Sequence, residues 1–197
     1  QTDLAKTSDY TLSIWFKTDD ATASTSCASN CNRLENPLFG FVSGDPAYAI
    51  DYGIDGGKLT IHHYGGSAWA QEQGATTVSD DVWHHVSFVY SNQTADVYLD
   101  GVLEMSGVSA TQSSSNFEWD QIGSSYGGKY FSGSLRDARY DDYTLSAEQV
   151  ASLYGGTYLP IGQNQWALGG NSLDNGEIFA STTGNPLNGF DYFAGGW

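Results

Sequence analysis

Five aromatic residues lie in or at the ends of two glycine-containing stretches, where a folded chain would find it hard to bury them. The stretches are residues 64–69 and 119–130, and both also contain serines. An exposed aromatic ring can stack on the face of a pyranose sugar while polar neighbours bind the sugar hydroxyls. We therefore interpret the five as candidate glycan ligands, the alternative being that they cover the ends of a hydrophobic core. They are Tyr64, Trp69, Trp119, Tyr126 and Tyr130.

The two cysteines, Cys27 and Cys31, stand in a polar stretch with no histidine nearby. Zinc normally takes four ligands, so this pair is a poor zinc site, and a local disulfide is the better interpretation. A disulfide implies an oxidising compartment. Asn92-Gln93-Thr94 is an N-glycosylation sequon in a polar turn, which makes Asn92 a candidate for modification in a secreted protein.

The charge of the chain excludes several kinds of partner. It has 23 acidic and seven basic residues, which give a formal net charge of −16. Nucleic acids and anionic membranes require clustered Lys and Arg, so neither is an expected partner. Cations stay plausible partners, although the acidity can also serve only to keep the protein soluble in salty surroundings.

The sequence also bears on where the protein acts. No apolar run reaches the roughly 20 residues needed to cross a bilayer, so we expect no membrane insertion. The chain begins with Gln1 instead of Met, and we interpret it as a processed protein or an excised fragment. Together with the expected disulfide, this favours a location outside the cell or on a cell or virion surface.

Short alternating segments separated by turn residues predict an all-β protein. Two of them flank the polar turn Ser91-Asn92-Gln93-Thr94 and should form a hairpin. One helix is expected from Leu145 to Tyr154, with Ser146 and Gln149 forming a capping box. The predicted strands are Tyr10–Phe16, Pro37–Val42, Tyr48–Tyr52, Lys58–His63, Trp83–Tyr90, Ala95–Leu99, Val102–Met105, Phe117–Ile122 and Phe131–Tyr140.

Three of these segments carry a family resemblance. Trp83-His84-His85-Val86, then Val97-Tyr98-Leu99-Asp100-Gly101, then the run from Phe131 through the helix follow one another in a familiar order. This order resembles the laminin-G-like domains of the concanavalin A-like lectin/glucanase superfamily, over about residues 8–156. The resemblance implies an antiparallel jelly-roll β-sandwich. It also implies that the core includes Trp15, Trp83, Phe88 and Tyr98.

The same resemblance raises the question of catalysis, because the superfamily includes glucanases and lyases. Its retaining glucanases carry Glu-x-Asp-x-x-Glu on one strand, which places two carboxylates across the scissile bond. Here Glu118 and Asp120 match the first half, but Gly123 stands where the second glutamate is required. The Gln-Ile-His strand of the lyases also lacks its histidine. We therefore predict that the protein is not an enzyme, with polysaccharide degradation as a minor alternative.

Calcium is the cofactor that the resemblance implies, since many relatives bind it at a loop rim. This hard cation takes six to eight oxygen ligands. We favour Asp45, Asp51 and Asp55 as its ligands, because they bracket a short hairpin rim. The alternative is that these aspartates only form turns.

Residues 157–197 extend beyond the resemblance, and we divide the chain into a laminin-G-like sandwich, 1–156, and this extension. The extension has no Lys or Arg but several large aromatics, so we expect it to pack on the sandwich or on a neighbouring subunit. Our main functional hypothesis is a non-catalytic, calcium-assisted, adhesion-type module that recognises glycans or glycoproteins. The second is a structural subunit of an extracellular filament or virion surface, joined to its own copies through residues 157–197.

Overall fold

Two antiparallel sheets pack face to face in the part of the chain that the structure describes. The computed structural model describes residues 9–24, 34–40, 50–64, 69–111, 121–125 and 129–156, and the backbone of two later strands. The strands are β1 Asp9–Lys17, β2 Asn36–Gly40, β3 Ile50–Asp55, β4 Lys58–Tyr64, β5 Trp69–Thr77, β6 His84–Ser91, β7 Thr94–Leu99, β8 Val102–Ser109, β9 Gln121–Ile122, β10 Ser124–Ser125, β11 Lys129–Tyr130, β12 Ser134–Asp141, β13 Trp166–Gly170 and β14 Leu173–Ile178.

The strand order confirms the predicted all-β, antiparallel jelly-roll class. One sheet has the order β14-β13-β12-β1-β6-β7-β8, the other has the order β5-β4-β3-β2-β9, and β10 and β11 form a small separate hairpin. Each of the nine predicted strands overlaps an observed one. The predicted strand Phe117–Ile122 is described only at Gln121 and Ile122, since residues 112–120 lie outside the described part.

The core forms where alternate residues of the two sheets meet. Leu12, Ile14 and Phe16 of β1 face Tyr52 and Ile54 of β3, and all five are fully buried. Each such side chain contributes about 1.5–3 kcal/mol through burial of apolar surface. These alternating residues are the signal that made the strands predictable.

One hydrogen bond crosses this core between the two sheets. The hydroxyls of Tyr10 and Tyr52 lie 2.9 Å apart, and the Tyr52 ring stacks on Phe88 with 4.5 Å between ring centroids. Burial raises the pKa of Tyr52 far above its usual range, so this phenol stays neutral. The bond satisfies two polar groups that would otherwise be costly to bury.

A helix, α1 Ala147–Tyr154, covers the outer face of the seven-stranded sheet. The predicted capping box is present: the Ser146 hydroxyl accepts from the Gln149 backbone, and the Gln149 side chain accepts from the Ser146 backbone. The cap fixes the helix start two residues later than the predicted Leu145. The buried residues Val150 and Leu153 of α1 form a cluster with Leu145 and with Val89 and Tyr98 of the sheet.

The hairpin between β6 and β7 has a shorter turn than the predicted four residues. Ser91 pairs with Thr94, so only Asn92 and Gln93 lie in the turn. Both residues have positive φ, 47° and 65°, as a two-residue type I′ turn requires. Asn92 is exposed at the tip, where its glycosylation stays a prediction.

Trp15 and Trp83 were expected in the core, and this expectation is wrong. Core residues of β1 occupy even positions, so Trp15 points to the outer face of the seven-stranded sheet. Trp83 lies just before β6 and is also only partly buried. Phe88 is a core residue as expected, whereas Tyr98 is buried beneath α1 instead of between the sheets.

The described backbone of the extension adds to the seven-stranded sheet. β13 pairs antiparallel with β12, with Arg139 opposite Ala167 and Tyr140 opposite Trp166. β14 pairs with β13 beyond it.

The described residues include no helix long and apolar enough to cross a membrane.

Strand β5 was missed in the sequence, and a carboxylate fixes its irregular middle. Lys58 pairs with Thr77 and Thr60 with Gln73, so residues 74–76 bulge from the register. Glu104 of β8 accepts hydrogen bonds there from the backbone of Ala75 and Thr76, at 2.7 Å each. Glu104 thus connects the edges of the two sheets.

We expect Glu104→Gln to destabilise the protein by about 1 kcal/mol at pH 7, because charge-assisted hydrogen bonds become neutral ones. Partial burial opposes ionisation, but the bonds from Thr76 and Ala75 lower the pKa of Glu104. A depressed pKa contributes stability above the ordinary carboxyl pKa and loses it as pH falls. Urea unfolding should therefore show a difference at pH 7 that shrinks below about pH 4.

Glu72→Gln is the matched control, because Glu72 lies on β5, the strand that Glu104 contacts, and its side chain has no described hydrogen bond. Equal destabilisation by both variants, or a Glu104→Gln effect that does not change with pH, would contradict this role for Glu104.

Candidate functional site

Polar residues line the outer face of the five-stranded sheet. In β3, Asp51 and Asp55 alternate with the core residues Ile50, Tyr52 and Ile54. In β4, Thr60 and His62 alternate with core residues in the same way, and they pair with Gln73 and Gln71 of β5. We call this surface the polar face and define it by Asp51, Asp55, Thr60, His62, Gln71 and Gln73.

The two glutamines of the polar face are exposed, while the groups that hold them are buried. Gln71 donates from Nε2 to Asp55 Oδ2 at 2.9 Å. Gln73 donates to the Asp55 carbonyl at 2.8 Å and lies 3.3 Å from Thr60 Oγ1. Asp55 also accepts from the backbone and hydroxyl of Ser24. Both carboxamides are therefore positioned by the protein before any ligand arrives.

The β10–β11 hairpin lies against the same sheet at Gly40, the last residue of β2. A Cβ atom on Gly40 would lie 2.4 Å from the Ser124 carbonyl oxygen and 2.6 Å from Ser125 Cβ, so only glycine allows this contact. The Ser125 hydroxyl then donates to Asp51 Oδ1 at 2.6 Å in a buried bond. The hairpin is thus anchored to the polar face through Asp51.

A second set of contacts fixes the other strand of the hairpin. Lys129 Nζ lies 2.7 and 2.6 Å from the two carboxylate oxygens of Glu35, and the Ser132 backbone donates to Asn36 Oδ1. Tyr130 lies between these anchors, and 72% of it is exposed. The hairpin therefore holds a large exposed ring on a fixed backbone.

The structure brings several of the predicted site residues to this one sheet. Tyr64 ends β4 and Trp69 begins β5, and the two occupy paired register positions. Asp51 and Asp55 belong to β3, and Tyr130 belongs to the hairpin anchored on Asp51. Five predicted residues lie outside the described part: Trp119, Tyr126, Asp45, Cys27 and Cys31.

Asp51 and Asp55 do not by themselves form a calcium site. Asp51 Oδ1 and both carboxylate oxygens of Asp55 accept hydrogen bonds from protein donors. Calcium takes six to eight oxygens, and the described residues contain no group of three or more acidic, His or Cys side chains that could hold a metal. Because Asp45 lies outside the described residues, calcium binding stays a prediction.

Gln71 and Gln73 were not recognised from the sequence. Strand β5 reads Trp69-Ala70-Gln71-Glu72-Gln73, which has no alternating apolar residues because most of this edge strand is exposed. The repetition of glutamine at a spacing of two is the one available signal, since a spacing of two puts both on one face of a strand.

Gly123, which stands where a glucanase would need its second glutamate, lies between β9 and β10 with a φ of +70°. A Cβ atom there would lie 2.9 Å from Leu135 Cδ1, so a glutamate would be both strained and crowded. His63 points away from the polar face and bonds to Thr111 at 2.8 Å, and burial lowers its pKa. Neither position offers a surface-accessible acid or base.

These features define a β-sandwich with a preformed polar surface and an exposed aromatic ring. The chain belongs to the concanavalin A-like lectin/glucanases superfamily, through a laminin-G-like family model that matches residues 1–151. The resemblance stated from the sequence is thereby confirmed. No curated protein matches the sequence.

Two solved structures illustrate the fold. Domain 4 of an extracellular GH43 arabinanase from Geobacillus stearothermophilus, in complex with arabinotriose, is 22% identical with a TM-score of 0.59, covering 77% of this chain and 69% of that one. The CBM40 of a Ruminococcus gnavus sialidase, bound to α2,3-sialyllactose, is 16% identical with a TM-score of 0.55, covering 77% and 85%. At these identities the likeness establishes the fold alone.

We expect Gly40→Ala to loosen the hairpin, because the added methyl group cannot fit beside Ser124 and Ser125. Overpacking of this kind costs about 1–3 kcal/mol. Amide hydrogen exchange should show faster exchange at the Ser132 amide, which bonds to Asn36. Gly155→Ala is the control, since its φ of −70° suits alanine. Unchanged exchange and stability in Gly40→Ala would show that the hairpin does not depend on this contact.

Proposed function

We propose that the protein is a non-catalytic carbohydrate-binding module and that its ligand lies across the polar face. The observation that carries the proposal is the exposed Tyr130 ring, held by an anchored hairpin over the same sheet as two positioned carboxamides. A ring of this kind stacks on a sugar, and the carboxamides exchange hydrogen bonds with its hydroxyls. Because these groups are already ordered, little conformational entropy is lost on binding.

The spacing of these groups favours an oligosaccharide over a single sugar. Gln71 and Gln73 lie on β5, whereas the hairpin of Tyr130 packs against β2, three strands away in the sheet. Neighbouring strands are about 4.8 Å apart, so the two parts are separated by roughly 14 Å. One pyranose ring cannot touch both, and a chain of several sugars can.

Relatives support the proposal without identifying the ligand. The arabinanase domain is described in complex with arabinotriose and the sialidase module with sialyllactose, and both share the fold of this chain. The backbone of Gly123 supports a binding role over hydrolysis, because its φ of +70° would strain a glutamate at the position where the family's glucanases carry the second carboxylate. An extracellular setting and assistance from calcium belong to the same proposal.

Tyr130→Ala should weaken oligosaccharide binding at least tenfold, which corresponds to about 1.4 kcal/mol of lost stacking. Binding partners would first be found on a glycan array, in calcium and again in chelator, and affinities then measured by calorimetry. Tyr130→Trp should retain binding, because it keeps an aromatic face. A loss of glycan binding when a chelator removes calcium would support a role for calcium in binding.

Tyr143→Ala is the matched control, since Tyr143 is also exposed but lies beside the start of α1. If Tyr130→Ala binds as tightly as the parent chain, or if both tyrosine variants lose affinity equally, the hairpin is not part of the site. The absence of any bound glycan in either condition would contradict the function itself.

A further inference from the structure

An arginine lies between two tryptophans on the outer face of the other, seven-stranded sheet. The Arg136 guanidinium carbon is 5.0 Å from the Trp15 ring centroid and 4.5 Å from that of Trp83. Tyr154 stacks on Trp15 with ring centroids 5.6 Å apart. We call Trp15, Trp83 and Arg136 the arginine clamp. It belongs to a different sheet from the polar face.

A local irregularity of β12 places Arg136 in the clamp. Ser13 of β1 pairs with Arg139, but Trp15 pairs with Arg136, so β12 carries one extra residue between these pairs. Asp137, in that interval, has a φ of +52°, an unfavourable value for a residue other than glycine. Bulges redirect side chains, and this one brings Arg136 opposite Trp15.

The donors of Arg136 are not used within the described part of the chain. Its described carboxylate neighbour is Asp137, at 3.8 Å, which is too far for a hydrogen bond. Arg139 is a useful contrast, because its guanidinium donates to both oxygens of Asp141 at 2.8 and 2.7 Å in a buried pair. The Arg136 side chain is 45% exposed. The clamp therefore holds the guanidinium against two indole rings while leaving it partly exposed to solvent.

A guanidinium fixed in this way suits a carboxylate, because its planar N–H groups match the two carboxylate oxygens. The adjacent Tyr154 ring is 41% exposed and offers a surface on which the rest of a ligand can stack. His85, beneath Trp15 and Tyr154, adds no positive charge at neutral pH, since burial lowers its pKa to about 4. Arg136 is thus the positive charge within the clamp.

The charge of the protein limits what can approach the clamp. With a net charge of −16, long-range repulsion grows with the number of negative charges on the partner. Among ligands that carry a carboxylate, one with a single carboxylate on an otherwise neutral body is repelled least. An acidic protein surface or a polyanion is repelled strongly. A sugar acid has this character, and its ring can lie on Tyr154.

We propose that the arginine clamp is a second binding site, which takes the carboxylate of an acidic sugar on the sheet opposite the polar face. The inference does not depend on the polar face being a glycan site. Its test uses methyl glucuronide and methyl glucoside, which differ only in the carboxylate. Titration of each would be followed by the indole N–H resonances of Trp15 and Trp83 in NMR spectra.

Methyl glucuronide should shift these resonances with saturation, and methyl glucoside should bind at least tenfold more weakly. Arg136→Gln should reduce glucuronide affinity at least tenfold, and Arg136→Lys should restore only part of it, because lysine lacks the planar fork. Lys17→Gln, which removes a partly exposed cation of the neighbouring strand β1, should leave affinity unchanged. Tyr130→Ala should also leave it unchanged, which separates this site from the polar face.

The proposal is overturned if the two glycosides bind equally, if neither binds, or if Arg136→Gln binds glucuronide as the parent chain does. A glutamate-containing peptide serves as the competing ligand, and its tighter binding at the same resonances would assign the clamp to peptides instead. Circular dichroism would show whether Arg136→Gln and Arg136→Lys keep the fold. Arg136→Lys is the safer of the two variants, because it keeps the charge and most of the side-chain volume.

Discussion

The contact between Gly40 and the β10–β11 hairpin is the constraint on which the candidate site depends. It lets Ser125 reach Asp51, and this buried bond joins the hairpin to a strand of the sandwich. The ion pair of Lys129 with Glu35 adds a second anchor. Partly exposed ion pairs contribute little stability, whereas a buried hydrogen bond is costly to break. The position of Tyr130 therefore rests mainly on Gly40, Asp51 and Ser125.

The outer faces of the two sheets differ in a way that follows from their covering. Helix α1 covers one face with apolar side chains, and its last residue, Tyr154, stacks on Trp15 of the arginine clamp. The other face is polar, and the buried Asp55 holds exposed glutamines by hydrogen bonds. A packed apolar face stabilises the fold, while exposed polar side chains that the protein already holds in place can bind a ligand.

The sequence predicted the sandwich well because its core strands alternate apolar and polar residues, as β1 does from Tyr10 to Phe16. It predicted the helix and its capping box at Ser146, although the helix begins two residues later than the expected Leu145. It failed at β5, whose exposure removes the alternation. It also failed at Trp15, because its place in a family-like core strand suggested burial, whereas strand parity points the residue outward. Gln71 and Arg136 could not be predicted either, since their roles depend on bonds and stacking between residues far apart in the chain.

A crystal structure with an oligosaccharide bound, chosen as the tightest ligand from an array, would test most directly whether the polar face binds glycans. We expect the sugar chain to cross the polar face, with one ring on Tyr130 and hydroxyls within hydrogen-bond distance of Gln71 or Gln73. A sugar bound elsewhere on the molecule, with Tyr130 and both glutamines still in contact with solvent, would contradict this expectation.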